Sequence, residues 1–178
     1  MAIAHHFSEK AQLLAFILQN SPDWDSDLLN VLETSWGKIR HLGKLFPFNR
    51  TTYYKNEMGE GLFRGVVSFE STIFPEEITN EKIRSNEIEF SFSKSENRKV
   101  NIDIGYMDLD KVVLPSFKRG PFKLYAGNGI WLDMLLTYAK GKFHPTSWAF
   151  EDFKSGFYEH DLLLIREKFK KKYVKEIP

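Results

Sequence analysis

Two aspartates interrupt stretches that otherwise read as apolar strands. In NIDIGYMDLDK, residues 101–111, Ile102, Ile104 and Tyr106 alternate with Asn101, Asp103 and Gly105. In GIWLDMLLTY, residues 129–138, Asp133 stands among Ile130, Trp131, Leu132, Met134 and Leu135. A carboxylate inside an apolar strand costs several kcal/mol of desolvation unless it is paired or coordinated. A salt bridge or a hydrogen bond to the chain would satisfy Asp133. Convergence of Asp103 and Asp133 from neighbouring strands would do more. Paired carboxylates hold a hard divalent cation such as magnesium, or divide into acid and base through mutual pKa perturbation.

Further polar residues fall beside these two. Glu87, preceded by Asn86, lies on a candidate helix close to its apolar stripe and suits a general base or third metal ligand. Glu57 follows Tyr53-Tyr54 in a charged, glycine-rich loop, and a Tyr54 hydroxyl would orient a bound oxyanion. Tyr106, next to Gly105, reads as a sharp local turn. Lys118 and Arg119 precede Gly120-Pro121, where they would meet a phosphate or carboxylate. The expected site has Glu87, Asp103 and Asp133 as catalytic residues, and Asp103 and Asp133 as metal ligands. Tyr54, Glu57, Asn101, Tyr106 and Lys118 are its expected ligand contacts. The expected ligand is a small phosphorylated molecule, and the chemistry is that of a phosphate ester or nucleotide.

Other sites have less support. His5 and His6 sit near the terminus, and His41, His144 and His160 stand without metal-ligand spacing. GEGLFRG, residues 59–65, lacks the GK[ST] ending of a phosphate loop. GNG at 127–129 is a hairpin turn. There is no GxSxG elbow and no HExxH helix.

The chain has 178 residues, 42% hydrophobic and 15% aromatic, which is globular composition suited to one domain over 1–178. It has no cysteine, which excludes disulfides and thiolate chemistry. Its net charge of +1 demands no polyanionic partner. The basic C-terminal helix is diluted by Glu151, Glu159, Glu167 and Glu176, so nucleic acid is not the expected partner. MAIAHHFSEK lacks a signal-type apolar core, and no run approaches the roughly 18 apolar residues of a membrane span. A cytoplasmic protein is expected.

The elements that must position these residues follow from pattern. AQLLAFILQ, 11–19, fits a buried strand or a short helix, and its shortness before Asn20-Ser21-Pro22 favours the strand. Ser21-Pro22 reads as a helix start, and Leu28, Leu29, Leu32 and Trp36 form a helical stripe closed by Gly37. Residues 38–55, which include TTYY at 51–54, have strand character, as do 62–70 after the KNEMGEG loop. A helix is expected over 79–90 and a strand from Lys99 to Ile104. This order of strand, helix, strand, strand, helix, strand matches an α+β ferredoxin-like unit over about 10–104, with two helices on an antiparallel sheet. Residues 105–178 then add a short strand broken by Pro115, a β-hairpin turning at 127–129 and a C-terminal helix carrying Phe157, Leu162, Ile165 and Phe169.

Several ordered blocks carry a resemblance: FPFNRTTYYKNEMGEGLFRGVVSFE (46–70), KIRSNEIE (82–89), RKVNIDIGYMDLDKVVL (98–114) and KLYAGNGIWLDMLLTYAKGKF (123–143), with the Trp148–Phe153 segment. Together they resemble the uncharacterised prokaryotic family catalogued as domain of unknown function 4416. The resemblance spans about residues 10–173 and implies no particular activity. This chain departs from the family pattern at Asp133, where the family usually carries Glu, and at Ile104, where it usually carries Pro. A different functional class also fits the sequence: a non-catalytic protein- or RNA-interaction module acting through the aromatics from Trp148 to Phe157.

Overall fold

A computed structural model describes residues 9–49, 53–93 and 97–176. The protein is mixed α and β, built on an antiparallel sheet with helices on both faces. The main path of the sheet is β2-β4-β1-β5-β6-β8-β7. Here β1 is Ala11–Gln19, β2 Ile39–Leu42, β4 Phe63–Ile73, β5 Val100–Met107, β6 Lys111–Ser116, β7 Leu124–Gly127 and β8 Ile130–Ala139. Two short strands lie off the path: β3 (Phe46–Pro47) pairs with β4 and β9 (Lys142–Pro145) with β8. The helices are α1 (Ser26–Trp36), α2 (Lys55–Met58), α3 (Ile78–Ser91), α4 (Glu151–Lys154) and α5 (Glu159–Glu176). Among the described residues, no helix is long and apolar enough to cross a membrane.

All nine residues of β1 are buried, because it sits between β4 and β5 with both faces covered. Ala11, Leu13, Ala15 and Ile17 pack with Leu28, Leu32 and Trp36 of α1 and Ile78 and Ile88 of α3. On the other face, Leu14 and Phe16 pack with Phe153, Tyr158, Leu162 and Ile165. Asp103 pairs with Phe16 in register and shares that second face. The polar face of NIDIG is therefore largely covered, with Asp103 still partly exposed.

Several sequence expectations are revised. The cap of α1 is Asp25, whose carboxylate accepts from the Leu28 N–H at 2.9 Å, and Ser21-Pro22 lies upstream of it. Tyr53-Tyr54 forms a turn into α2 in place of a strand, and KNEM is helical; Thr51 and Thr52 lie outside the described residues. The strand begun at Val100 continues to Met107, so Gly105-Tyr106 is not a turn. β9 adds a second hairpin arm. The turn between β7 and β8 runs as expected through Asn128 and Gly129, at φ 52° and 72°.

Gly105 fixes how β6 meets β5. A Cβ there would run into the Leu114 side chain and the Val113 carbonyl oxygen. The two strands pair only at Tyr106↔Val113 and Met107↔Val112. Beyond that crossing, the first half of β5 has no register with β6, while Leu114–Ser116 pairs with β8. Pro115 thus occupies a part of β6 with a sheet partner on one side only, where a missing N–H is tolerated.

Candidate ligand cleft

The gap between β5 and β6 leaves backbone groups of β5 without a strand neighbour, and α3 supplies partners for them. Glu89 accepts the Ile102 N–H at 2.6 Å, and Lys82 Nζ lies 3.4 Å from the Ile102 carbonyl oxygen. Lys82, Asn86 and Glu89 follow helical spacing, so α3 turns one polar stripe toward the opening. The result is a cleft of about 620 Å³, within the usual size range of small-ligand sites. Its walls come from Phe48, Tyr53 and Tyr54 and from β4, α3, β5, β6, β8 and the start of α4.

Two arginine networks, a buried one at Arg64 and a partly exposed one at Arg98, form the inner wall. Arg64, on β4, pairs with Asp103 and with Asp152 at 2.7 Å. Asp152 also accepts the Tyr158 hydroxyl at 2.8 Å. The Arg64 guanidinium lies 5.5–5.8 Å from the ring centroids of Phe16, Phe48 and Phe153. Burial opposes its charge, yet Asp152, Tyr158 and Asp103 hold its pKa above the ordinary arginine value. Arg98 binds Glu57 through both nitrogens of its fork, at 2.5 and 2.8 Å. It also donates to Glu89 and to the Asn101 side-chain oxygen, each at 3.1 Å.

Asp133 is held differently. It accepts the Trp148 indole N–H at 3.0 Å and lies 3.5 Å from Lys123 Nζ. Trp148 in turn stacks on Phe122, with centroids 4.5 Å apart. Lys118 Nζ bonds the Tyr53 hydroxyl across the cleft mouth and lies 4.3 Å from the centre of that ring.

The surroundings set protonation. Burial, reinforced by Asp103, pushes the Tyr54 phenol up to about 12, so it is a donor at neutral pH. The hydrogen bond from Arg98 draws the Glu57 carboxyl below its ordinary value, whereas burial raises that of Glu89.

A protein-family model described as "Domain of unknown function (DUF4416)" matches residues 9–169. The chain belongs to the DUF4416 family. No curated protein and no solved structure matches it. Every cleft-lining residue, from Phe48 to Asp152, falls inside the DUF4416 span.

In this DUF4416 chain, Tyr54, Asn101, Asp103, Lys118 and Asp133 all line the one cleft. Glu57 joins them through Arg98. Two expected residues lie elsewhere. Glu87 is exposed and outside the lining; the carboxylate that α3 presents is Glu89, two positions on. Tyr106 is buried in the core beneath α1 and α3, because alternation along β5 turns it away from Asp103. Asp103 and Asp133 each engage a separate basic side chain, and among the described residues no group of three or more His, Cys, Asp or Glu could hold a metal ion. His41 pairs with Asp161 at 2.8 Å, while His5 and His6 lie outside the described residues.

Sequence reasoning missed Lys82, Arg64, Glu89, Arg98 and Lys123. Arg64 had a signal, being a charge inside LFRGVVSFE. Lys82 and Glu89 had one too, since with Asn86 they make a polar stripe at helical spacing. Arg98 and Lys123 lie in connecting segments, where a charge carries no such signal.

Proposed function

We propose that the cleft binds a small phosphorylated ligand. The observation that carries this reading is that Lys82, Lys118 and Lys123 line one opening with donors to spare. Each ammonium has three N–H groups. Lys82 meets the Ile102 carbonyl, Lys118 the Tyr53 hydroxyl, and Lys123 one oxygen of Asp133. The arginines, by contrast, are already engaged by carboxylates. Tyr54 adds a neutral hydroxyl donor. Cationic and acidic side chains are equally numerous in the lining, so recognition rests on placement and not on net attraction.

Under this reading, Asp103 and Asp133 are the carboxylates beside the ligand, and Glu87 has no part in it. A divalent cation such as magnesium would enter with the ligand, because magnesium is commonly held by one or two carboxylates together with phosphate oxygens. Asp133 is the better placed of the two, its cationic partner being the more distant.

The test is titration calorimetry with ribose 5-phosphate, with and without magnesium. A Lys82→Gln, Lys118→Gln, Lys123→Gln triple variant should lose binding while its far-UV circular dichroism shows it still folded; its unfolding temperature should fall, because buried Asp133 loses its cationic partner. Retention of full affinity by that variant would refute the lysine roles. Asp133→Asn should abolish any gain from magnesium and leave metal-free binding in place.

Two finer readings belong with this proposal. We read the unit over about 10–104, its last strand running on to Met107, as ferredoxin-like; the antiparallel order β5-β1-β4-β2, with α1 and α3 on one face, supports it. A second functional reading, a protein-interaction module, draws support from β7 at the sheet edge, where Leu124 is 75% and Tyr125 61% exposed. Leu124→Lys would disrupt such an association in sedimentation experiments and leave ribose 5-phosphate binding unchanged.

A further inference from the structure

We infer that the ligand carries a planar heteroaromatic ring linked to its phosphate, as in a nucleoside monophosphate; this rests on the phosphate reading above. Two observations apart from the lysine donors point to the ring. The first is Asn101, which is only 5% exposed and lines the cleft. Arg98 donates to its side-chain oxygen at 3.1 Å, which fixes which end of the amide is which. Its Nδ2 is buried with no hydrogen-bond partner. Buried amide donors are nearly always satisfied. A ring nitrogen or an exocyclic carbonyl of a base is an acceptor of the kind this donor lacks.

The second observation is a pair of exposed rings. Phe117, just after β6, and Phe150, just before α4, both line the cleft, yet they are 47% and 51% exposed. They arrive from separate segments, so the opening has aromatic faces on two of its walls. Aromatic faces of this kind stack on bases. Lys82 Nζ lies 6.0 Å from the Phe117 ring centre, so an ammonium and a stacking face are neighbours. That adjacency suits a ligand whose ring and anionic group are joined by a short link, as a ribose joins them.

Calorimetry on the full chain tests this with three kinds of probe: the four common ribonucleoside monophosphates, their nucleosides, and ribose 5-phosphate. The tightest monophosphate should bind at least about tenfold more strongly than ribose 5-phosphate, the gain expected of one stacked base. Phe117→Ala and Phe150→Ala should each remove much of that gain and leave ribose 5-phosphate affinity unchanged. Asn101→Asp keeps an acceptor for Arg98 and loses the donor, so it should weaken the monophosphate more than ribose 5-phosphate, both of which the added charge repels. Equal affinity for ribose 5-phosphate and every monophosphate would overturn the ring inference and leave the phosphate reading standing. A nucleoside that binds as tightly as its monophosphate would overturn the phosphate reading and leave the ring site. Absence of binding by all three kinds would overturn both.

Discussion

Replacing Arg64 with Met should be among the most damaging single changes in this protein. The Arg64 side chain is 5% exposed and that of Asp152 3%, so their pair is sealed from water. Met keeps most of the stem and its contact with the rings of Phe16, Phe48 and Phe153. What is lost is the charge. Asp152 would keep only neutral partners, including the Tyr158 hydroxyl, while Asp103, at 26% exposure, would recover some water. Removing one partner of a buried pair costs about 3–5 kcal/mol, most of it here from Asp152. At roughly 2–4 °C per kcal/mol for a chain of this length, the unfolding temperature should fall by about 6–20 °C. Urea denaturation followed by tryptophan fluorescence measures the loss directly, with an unchanged dependence on urea as the check on two-state behaviour. Adding Asp152→Asn to Arg64→Met should restore part of the stability, because the amide still accepts from Tyr158 and carries no stranded charge. A loss under about 1 kcal/mol, the scale of exposed pairs, would refute the reasoning. So would a double variant no more stable than the single one.

Two further perturbations probe the architecture around the cleft. Gly105→Ala should cost about 1–3 kcal/mol by overpacking, because the new methyl meets the Val113 backbone as well as the flexible Leu114 side chain; a change below about 0.5 kcal/mol in urea denaturation would show that β5 and β6 do not cross closely there. Burial raises the folded-state pKa of Glu89 above its unfolded value, so its contribution to stability is fully present below the unfolded pKa and is lost as pH rises through the folded one. Stability measured from acid to neutral pH should therefore decline less in Glu89→Gln than in the parent protein, and an identical slope in the two would exclude Glu89 as the source.

Much of the scaffold is legible in the residues. The apolar run at 11–19 fits a buried strand or a short helix, its shortness favours the strand, and β1 is that strand, buried throughout. The stripe from Leu28 to Trp36 specifies α1, and the alternation of 100–104 places Asn101 and Asp103 on one face and Ile102 and Ile104 on the other. The segment 53–58 was misread because Tyr and Thr favour strands only where a neighbouring strand receives them. Here Tyr54 instead contacts Phe48 and carries the chain into a helix. Glu87 and Glu89 both lie near the apolar stripe of α3, so the stripe alone does not tell them apart. A difference of two positions turns a side chain by about 200° around a helix, and only packing against β5 decides which one enters.

The sequence by itself determined the strand carrying Asp103, the strand carrying Asp133 and the apolar faces on which they had to be accommodated. Tertiary structure decided that the two strands are separated by β6, that Gly105 lets β6 cross and then diverge, and that the resulting gap is lined by side chains of α3. It also decided the charge partners, giving Asp103 to Arg64 and Asp133 to Trp148 and Lys123. Periodicity reports which face of an element is apolar, because that is a local property of the chain. The neighbour that neutralises a buried charge is set by register and crossing between segments far apart in sequence, such as Arg64 and Asp152, and no local pattern encodes it.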